Sequence, residues 1–317
     1  MDVIVFGAGA VGLGLASALL AAGERVQIAA RGPTAAALRA HGLLRTGLFG
    51  RTETEPGTFA VAEDAAALAG VADFVLVVTK AFDTEAAAEA LARAAHVAGG
   101  RTRFVLCQNG WGSAERFARH FPPARIFSAR VITGFRRPAL HHVDVTVHAE
   151  PVRIGSLFGA SAGEVAPLCA AIAKGGLPCE PSEAIAEDLW AKLLYNAALN
   201  PLGAILGASY GALGASPHAR GVLEALAGET FAVMRAAGFR THWPSASAWL
   251  ADFYARLLPP TAAHESSMLQ DLRARRRTEI DAITGAVVEL AARHGVAAPV
   301  SSAVLALVRF LEARGTP

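Results

Sequence analysis

Residues 3–23 read VIVFGAGAVGLGLASALLAAG and contain no charged side chain. The run is long and apolar enough for a bilayer, which needs about 20 such residues. Its internal order points elsewhere. Val3-Ile4-Val5-Phe6 is β-branched or aromatic throughout and reads as a buried strand. Gly7, Gly9 and Gly12 then form G-x-G-x-x-G, with Gly14 behind them. Past Gly12 the run is mostly Leu and Ala, which favour helix. Strand, glycine turn and helix in that order open a dinucleotide-binding unit. Only Met1 and Asp2 precede the run, so a secretory signal with its positive n-region is not expected.

In such a unit the first glycine permits the turn and the second lets backbone approach the pyrophosphate. The third lets the helix pack on the strand. The phosphates then meet unpaired N–H groups and the helix dipole. Gly7, Ala8, Gly9, Ala10, Val11 and Gly12 are therefore the candidate cradle. The next strand, residues 25–29, runs on to Arg31 with no acid beside it. An NAD site usually carries Asp or Glu at that tip, whereas an arginine suits a 2′-phosphate. Arg31 thus favours NADP(H). Two more apolar runs, residues 74–78 and 104–106, stop at Thr79-Lys80 and at Cys107-Gln108-Asn109-Gly110. Ligands bind open α/β sheets at the carboxyl ends of strands, which makes Lys80 and Asn109 candidates. Asn-Gly is also an ordinary turn pair, and that reading of Asn109 stays open.

The first half continues to alternate. Strand patterns at 3–6, 25–29, 74–78 and 104–106 interleave with helix patterns at 11–22, 34–40, 83–97 and 113–119. Strands alternating with helices imply a parallel sheet. Further strands are expected at 126–132, 143–148 and 152–154, then a helix at 164–173 and a short segment at 177–179. From Ser182 onward strand patterns stop. Helices are expected at 183–199, 219–237, 246–258, 268–293 and 300–313. The expected fold is α/β: an N-terminal Rossmann-type parallel-sheet domain, residues 1–182, for NADP, and a C-terminal all-helical domain, residues 183–317, for substrate. The helical half has enough apolar periodicity to bury its own face and a partner's, which leaves a homodimer open.

Composition agrees with two such domains. The 317 residues are 53% hydrophobic and 18% charged, enough for sizeable cores. A net charge of +2 points to neither nucleic acid nor a membrane surface as partner. The basic run Arg273-Ala274-Arg275-Arg276-Arg277 is flanked by Asp271, Glu279 and Asp281 and reads as a solvated helix face. Cys107, Cys169 and Cys179 form no metal-like pair and no even disulfide framework, and the ten histidines show no ligand spacing. No metal is expected, and a reduced, cytoplasmic location is the simplest reading.

The second half holds one informative polar stripe. Lys192, Asn196 and Asn200 are four apart and stack along one helix face. The residues between are almost wholly apolar, and a solvated face would carry more charge. A lysine and two asparagines in such surroundings need partners, because unpaired buried polar groups are costly. An incoming carboxylate and carbonyl would supply them.

With this stripe the chain resembles the ketopantoate reductase (2-dehydropantoate 2-reductase) family over nearly its whole length. The resemblance rests on the GAGAVG loop, Thr79-Lys80-Ala81, Gln108-Asn109-Gly110, and Lys192-Leu193-x-x-Asn196-x-x-x-Asn200-Pro201-Leu202. It continues in Ser266-Ser267-Met268-Leu269-Gln270-Asp271, with Arg277-Thr278-Glu279-Ile280-Asp281 behind it. The loop is shared by many dehydrogenases; the last two motifs, in this order and spacing, are specific. The resemblance implies NADPH-dependent reduction of a 2-keto acid to a 2-hydroxy acid, ketopantoate to pantoate in pantothenate biosynthesis. Lys192 would be the general acid. Asn109, Asn196, Asn200 and Ser267 would be substrate contacts, and Glu279 would lie near the nicotinamide ribose and the lysine. Two plainer readings stand beside these. Ser267-Met268-Leu269-Gln270 has the form of a capping box. A single straight helix would also hold Glu279 about 18 Å from Ser267.

Four places depart from the family pattern. Tyr210 stands where an asparagine is common, and Gly203 follows Asn200-Pro201-Leu202 in place of threonine. Thr284-Gly285 replaces Asn-Gly, and residues 136–155 lack a glycine-rich hairpin. These leave the reaction type intact and keep a paralogue acting on another 2-keto acid open. A 3-hydroxy-acid or opine-type dehydrogenase and a non-catalytic NADP-binding sensor are the rivals. The sensor has no need of Lys192 with its two asparagines.

Overall fold

A computed structural model describes residues 1–315. The chain divides by packing into two units, one of residues 1–108 with 113–185, the other of residues 109–112 with 186 onward.

The first unit carries the strands β1 (Asp2–Phe6), β2 (Arg25–Ala29), β3 (Leu43–Gly47), β4 (Thr52–Thr54), β5 (Ala60–Ala62), β6 (Phe74–Val77) and β7 (Arg103–Leu106). β8 (Ile126–Arg130), β9 (Thr133–Ala139), β10 (His142–His148), β11 (Val152–Gly155) and β12 (Cys179–Pro181) follow. Its helices are α1 (Ala10–Ala21), α2 (Gly32–His41), α3 (Thr84–Arg93), α4 (Ser113–Phe117) and α5 (Ala166–Lys174). Eight strands form one sheet in the order β12-β11-β8-β7-β6-β1-β2-β5. Every pairing in it is parallel except β8 with β11.

β1 sits in mid-sheet, and its side chains alternate between two cores. Val3 and Val5 join α1 and α5, while Ile4 and Phe6 join α3 and α4. A strand buried on both faces reads as a continuous apolar run. The same logic explains the membrane-like stretch after it. α1 buries every residue from Gly12 to Leu19, against the large sheet, α5 and the smaller sheet β4-β3-β10-β9. A helix apolar all round is one surrounded on all sides, and here protein surrounds it. A Cβ at Gly14 would stand 2.4 Å from the Phe135 ring, and one at Gly175 only 1.7 Å from the Ala18 carbonyl oxygen. Among the described residues no helix is long and apolar enough to cross a membrane.

β3, β4, β5 and β9 are not foreshadowed by the sequence patterns. β4 is the polar triplet Thr-Glu-Thr and β9 contains two arginines and Pro138. The proline is tolerated because β9 is an edge strand. The β9–β10 hairpin forms antiparallel without the glycines expected of it, turning at Leu140-His141.

The second unit is helical: α6 (Ile185–Leu206), α7 (Tyr210–Ala215), α8 (Pro217–Ala236), α9 (Ala246–Asp252), α10 (Ser267–Arg273), α11 (Thr284–His294) and α12 (Pro299–Gly315). The single helix expected over 268–293 is corrected. α10 stops at Arg273, and Arg275 turns left-handed at φ +53°. The Arg276 N–H returns to the Asp271 carbonyl at 2.8 Å and the Arg275 N–H to the Leu272 carbonyl at 3.0 Å. This is a Schellman-type stop without its usual glycine, which composition alone does not signal. Residues 274–283 then run free of regular helix. They are tied down by Arg309 on Asp281 at 2.7 Å and by the Thr278 N–H on Glu312 at 2.6 Å. The basic run is solvated, as its composition implies, but most of it lies past the helix end.

Candidate active site

In the first unit the glycine loop is shaped by close approach. Gly7 takes φ +120°, and a Cβ there would come within 2.9 Å of the Thr79 backbone nitrogen. A Cβ at Gly12 would meet the Gly7 carbonyl oxygen at 2.0 Å. The turn and the seating of α1 on β1 therefore both require glycine. Around Gly9 nothing stands within 4 Å of where a Cβ would lie. The crown of the loop is open at the point where a pyrophosphate must approach, and α1 begins there at Ala10 with its first N–H groups unpaired in the helix. Ala8, Ala10 and Val11 complete this turn. The loop fits a dinucleotide.

Arg31 follows β2, is exposed, and occupies the N-cap position of α2. Lys80 is half-buried just past β6. Its carbonyl accepts from the Gln108 amide at 3.5 Å, and the same amide donates to the Thr79 hydroxyl at 3.1 Å. Gln108 thus ties the ends of β6 and β7 together. One residue had no sequence signal: Arg137 of β9 donates to the Ala8 carbonyl at 2.9 Å, inside the glycine loop.

In the second unit the expected site residues fall into two groups. Lys192 Nζ on α6 donates to Asn109 Oδ1 at 2.5 Å, and Asn109 Nδ2 donates to Glu279 Oε2 at 3.1 Å. An ammonium, a carboxamide and a carboxylate are joined in series. The carboxamide gets there because Asn109–Gly112 packs with the helices. The Trp111 N–H bonds the Ala282 carbonyl at 2.9 Å, and its ring lies 4.9 Å from Trp190 and 4.8 Å from Phe239. Gly110, at φ +89°, passes so close to Ala282 that a Cβ would lie 2.1 Å from its carbonyl oxygen. Asn-Gly here both bends the chain and carries the amide that joins Lys192 to Glu279. Glu279 reaches Asn109 because the helix is broken, and it is 8% exposed.

The second group is at the far end of the stripe. Asn200 is 5% exposed, its Oδ1 accepts from the Tyr210 hydroxyl at 2.7 Å, and its carbonyl accepts from the Ser266 hydroxyl at 3.2 Å. Burial pushes the Tyr210 phenol well above its usual range, so it remains a donor. Asn196, midway, is half-buried. Ser267 is corrected as the cap. It is exposed, while Ser266 is buried and accepts from the Leu269 N–H at 3.1 Å. Two adjacent serines left the register open by one, and only the buried one lies beside Asn200. Neither Tyr210 nor Ser266 was singled out as a site residue from sequence.

Two family models match this chain: "Ketopantoate reductase PanE/ApbA" over residues 3–158 and "Ketopantoate reductase PanE/ApbA C terminal" over 184–312. The chain belongs to the ketopantoate reductase family. The 2-dehydropantoate 2-reductase of Aquifex aeolicus is 31% identical over 314 residues, 98% of this chain and 97% of that one. That of Archaeoglobus fulgidus is 31% identical over 97% of both chains. The crystal structure of a PanE/ApbA family ketopantoate reductase from Ralstonia eutropha superimposes with a TM-score of 0.85 at 29% identity, covering 99% of each chain. A D-mandelate dehydrogenase solved with NADH and anilino(oxo)acetate shares the fold, with a TM-score of 0.87 at 21% identity. Membership in the ketopantoate reductase family makes the protein an NADP-dependent oxidoreductase acting on a C=O/CH–OH pair.

Proposed function

We propose that the protein reduces a 2-keto acid to the 2-hydroxy acid with NADPH, ketopantoate to pantoate, and that Lys192 is the general acid. The observation carrying this reading is the series Lys192–Asn109–Glu279. NADPH, when bound, supplies the hydride that adds to the carbonyl carbon. Charge then grows on the carbonyl oxygen, and the Lys192 ammonium stabilises and protonates it. The neutral lysine afterwards recovers a proton from water.

Asn109 suits the place beside that ammonium. Its amide oxygen orients Nζ but cannot act as a base, so the proton stays available to the substrate. Glu279 accepts from the other end of the amide and so fixes which way Asn109 faces. Asn196 and Asn200 offer amide donors to the carboxylate and hydroxyl oxygens of the keto acid without competing for the proton. In the same reading residues 1–182 hold the dinucleotide through residues 7–12, with Arg31 on the 2′-phosphate and Lys80 nearby. Residues 183–317 hold the keto acid. Ser266, buried next to Asn200, is a better candidate than exposed Ser267 for supporting it.

The test is NADPH oxidation against ketopantoate and a panel of smaller and bulkier 2-keto and 3-keto acids. Lys192→Ala is expected to lower kcat by about 10²–10⁴ while circular dichroism and NADPH binding stay unchanged. Near-normal turnover in that variant would remove Lys192 from the reaction. Nucleotide binding without turnover of any keto acid would favour a sensor.

A further inference from the structure

Two of the departures from the family pattern, Tyr210 and Gly203, fall at one place. Tyr210 opens α7 and is 4% exposed. Its N–H bonds the His264 carbonyl at 3.0 Å, and the Gly211 N–H bonds the Ala262 carbonyl at 2.8 Å. The ring lies edge-on to Tyr195 at 5.8 Å and tilted against His264 at 5.1 Å. A phenol held on every side in this way has its oxygen placed, and its hydrogen bond goes to Asn200 Oδ1. Gly203, three residues along α6, packs tightly at the same spot, where a Cβ would meet the Ala208 carbonyl oxygen at 3.2 Å. A Cβ there would lie 3.8 Å from Ser266 Oγ, the atom that donates to the Asn200 carbonyl. Asn200 is thus gripped at its amide oxygen and its carbonyl, while its Nδ2 donates to no described residue.

We propose that Tyr210 is a positioning residue that sets specificity: by occupying the Asn200 amide oxygen it holds Asn200 toward the substrate as a hydrogen-bond donor alone. The inference rests on reading the Lys192–Asn200 stripe as the keto-acid site. An asparagine amide has nearly the same shape when flipped, and flipping exchanges donor for acceptor. A second asparagine at position 210 could flip with it and leave both states open. A buried phenol cannot follow, because a flipped amide would strand its proton, and stranded buried donors are costly. The substrate atom at Asn200 must then accept: a carboxylate, keto or hydroxyl oxygen. The class favoured is 2-keto acids bearing an oxygen acceptor on the end that reaches Asn200, with an ammonium there refused.

Two measurements test this on the full-length protein. The first is calorimetric titration of pantoate into the NADP⁺-loaded enzyme. Tyr210→Phe is expected to weaken binding about tenfold, the effect of one neutral hydrogen bond. Tyr210→Phe in an Asn200→Ala background is expected to change nothing further. Losses that add in the double variant would overturn the proposal, because Tyr210 would then act without Asn200. The second needs neither ligand nor turnover. The side-chain NH₂ signals of Asn200, assigned by their loss in Asn200→Ala, are expected as one sharp pair. They should shift or broaden in Tyr210→Phe and in Tyr210→Asn, the latter retaining a polar partner should the former fold poorly. Signals unmoved in both variants would overturn the proposal. If pantoate does not bind and no keto acid is turned over, the keto-acid reading fails by itself, and the amide signals still decide whether Tyr210 holds Asn200.

Discussion

Asn109→Ala removes the carboxamide that joins Lys192 to Glu279. Two charge-assisted hydrogen bonds go with it, at 2.5 and 3.1 Å. A hydrogen bond to a charged group contributes about 1.5–3 kcal/mol, so the pair bounds the loss at about 6 kcal/mol. Lys192 is half-buried, and water replaces part of what it loses. Glu279 is nearly sealed and recovers less. The expected destabilisation is about 2–4 kcal/mol, a Tm lower by on the order of 5–15 °C. Of these two bonds Glu279→Ala breaks the second, which Asn109→Ala already removes. The double variant should therefore fall short of the sum of the singles by about 1–2 kcal/mol. Urea denaturation followed by tryptophan fluorescence suits the measurement, since Trp111 and Trp190 lie 4.9 Å apart beside this segment. In the same variant kcat/KM should fall about 100-fold as Nζ loses its orientation. The reasoning is refuted if the two single losses simply add, or if Asn109→Ala stays within about 0.5 kcal/mol of the parent protein, the usual span of a surface change.

Arg31→Ala should raise KM for NADPH about 10- to 100-fold, the value of a charge-assisted hydrogen bond, and leave that for NADH nearly unmoved; equal effects on both would return Arg31 to the surface. Ser266→Ala should cost about 1–2 kcal/mol through the lost cap and the lost donation to Asn200, and Ser267→Ala within about 0.5 kcal/mol, both read by denaturant melts. The opposite order would place the cap at Ser267. Gly12→Ala puts a methyl where the Gly7 carbonyl oxygen stands, 2.0 Å away, so fluorescence titration should show NADPH affinity reduced at least about tenfold. Unchanged affinity would mean that the loop does not cradle the cofactor.

What the sequence made legible follows from how each element is buried. β1, β6 and β7 are covered on both faces, so composition alone announces them. β4 and β9 are polar edge strands, and β3 buries Arg45 where an apolar residue would mark the pattern, so none of the three announces itself. Only β10 beside them shows alternation, at Val143 and Val145, which face the core. The break after Arg273 was illegible for a different reason. An arginine takes the left-handed position that glycine normally marks, and the apolar spacing carries across the gap. The site divides along similar lines. Lys192, Asn196 and Asn200 were readable because helical spacing puts them on one face. Asn109 was readable as a strand end, though its packing with the helices was not. Tyr210 and Ser266 were unreadable, since each acts through a contact with a residue 10 or 66 positions away.

These less legible residues share a physical task. Asn109 and Asn200 are each reversible in principle, because a carboxamide presents oxygen or nitrogen at equal steric cost. Each is made irreversible by a neighbour with a fixed role. Lys192 can only donate, and it claims the Asn109 oxygen; a carboxylate can only accept, and Glu279 claims the nitrogen. At Asn200 a phenol held as a donor claims the oxygen. The Asn200 amide on α6 and the Asn109 amide are thus each turned one way by the residues behind them. A sequence motif records the amides. The residues that orient them come from α7 and the broken segment before α11, where local pattern carries no trace of the duty. In the proposed reduction, which must protonate one oxygen and hold others still, that orientation would separate a productive approach from a merely bound keto acid.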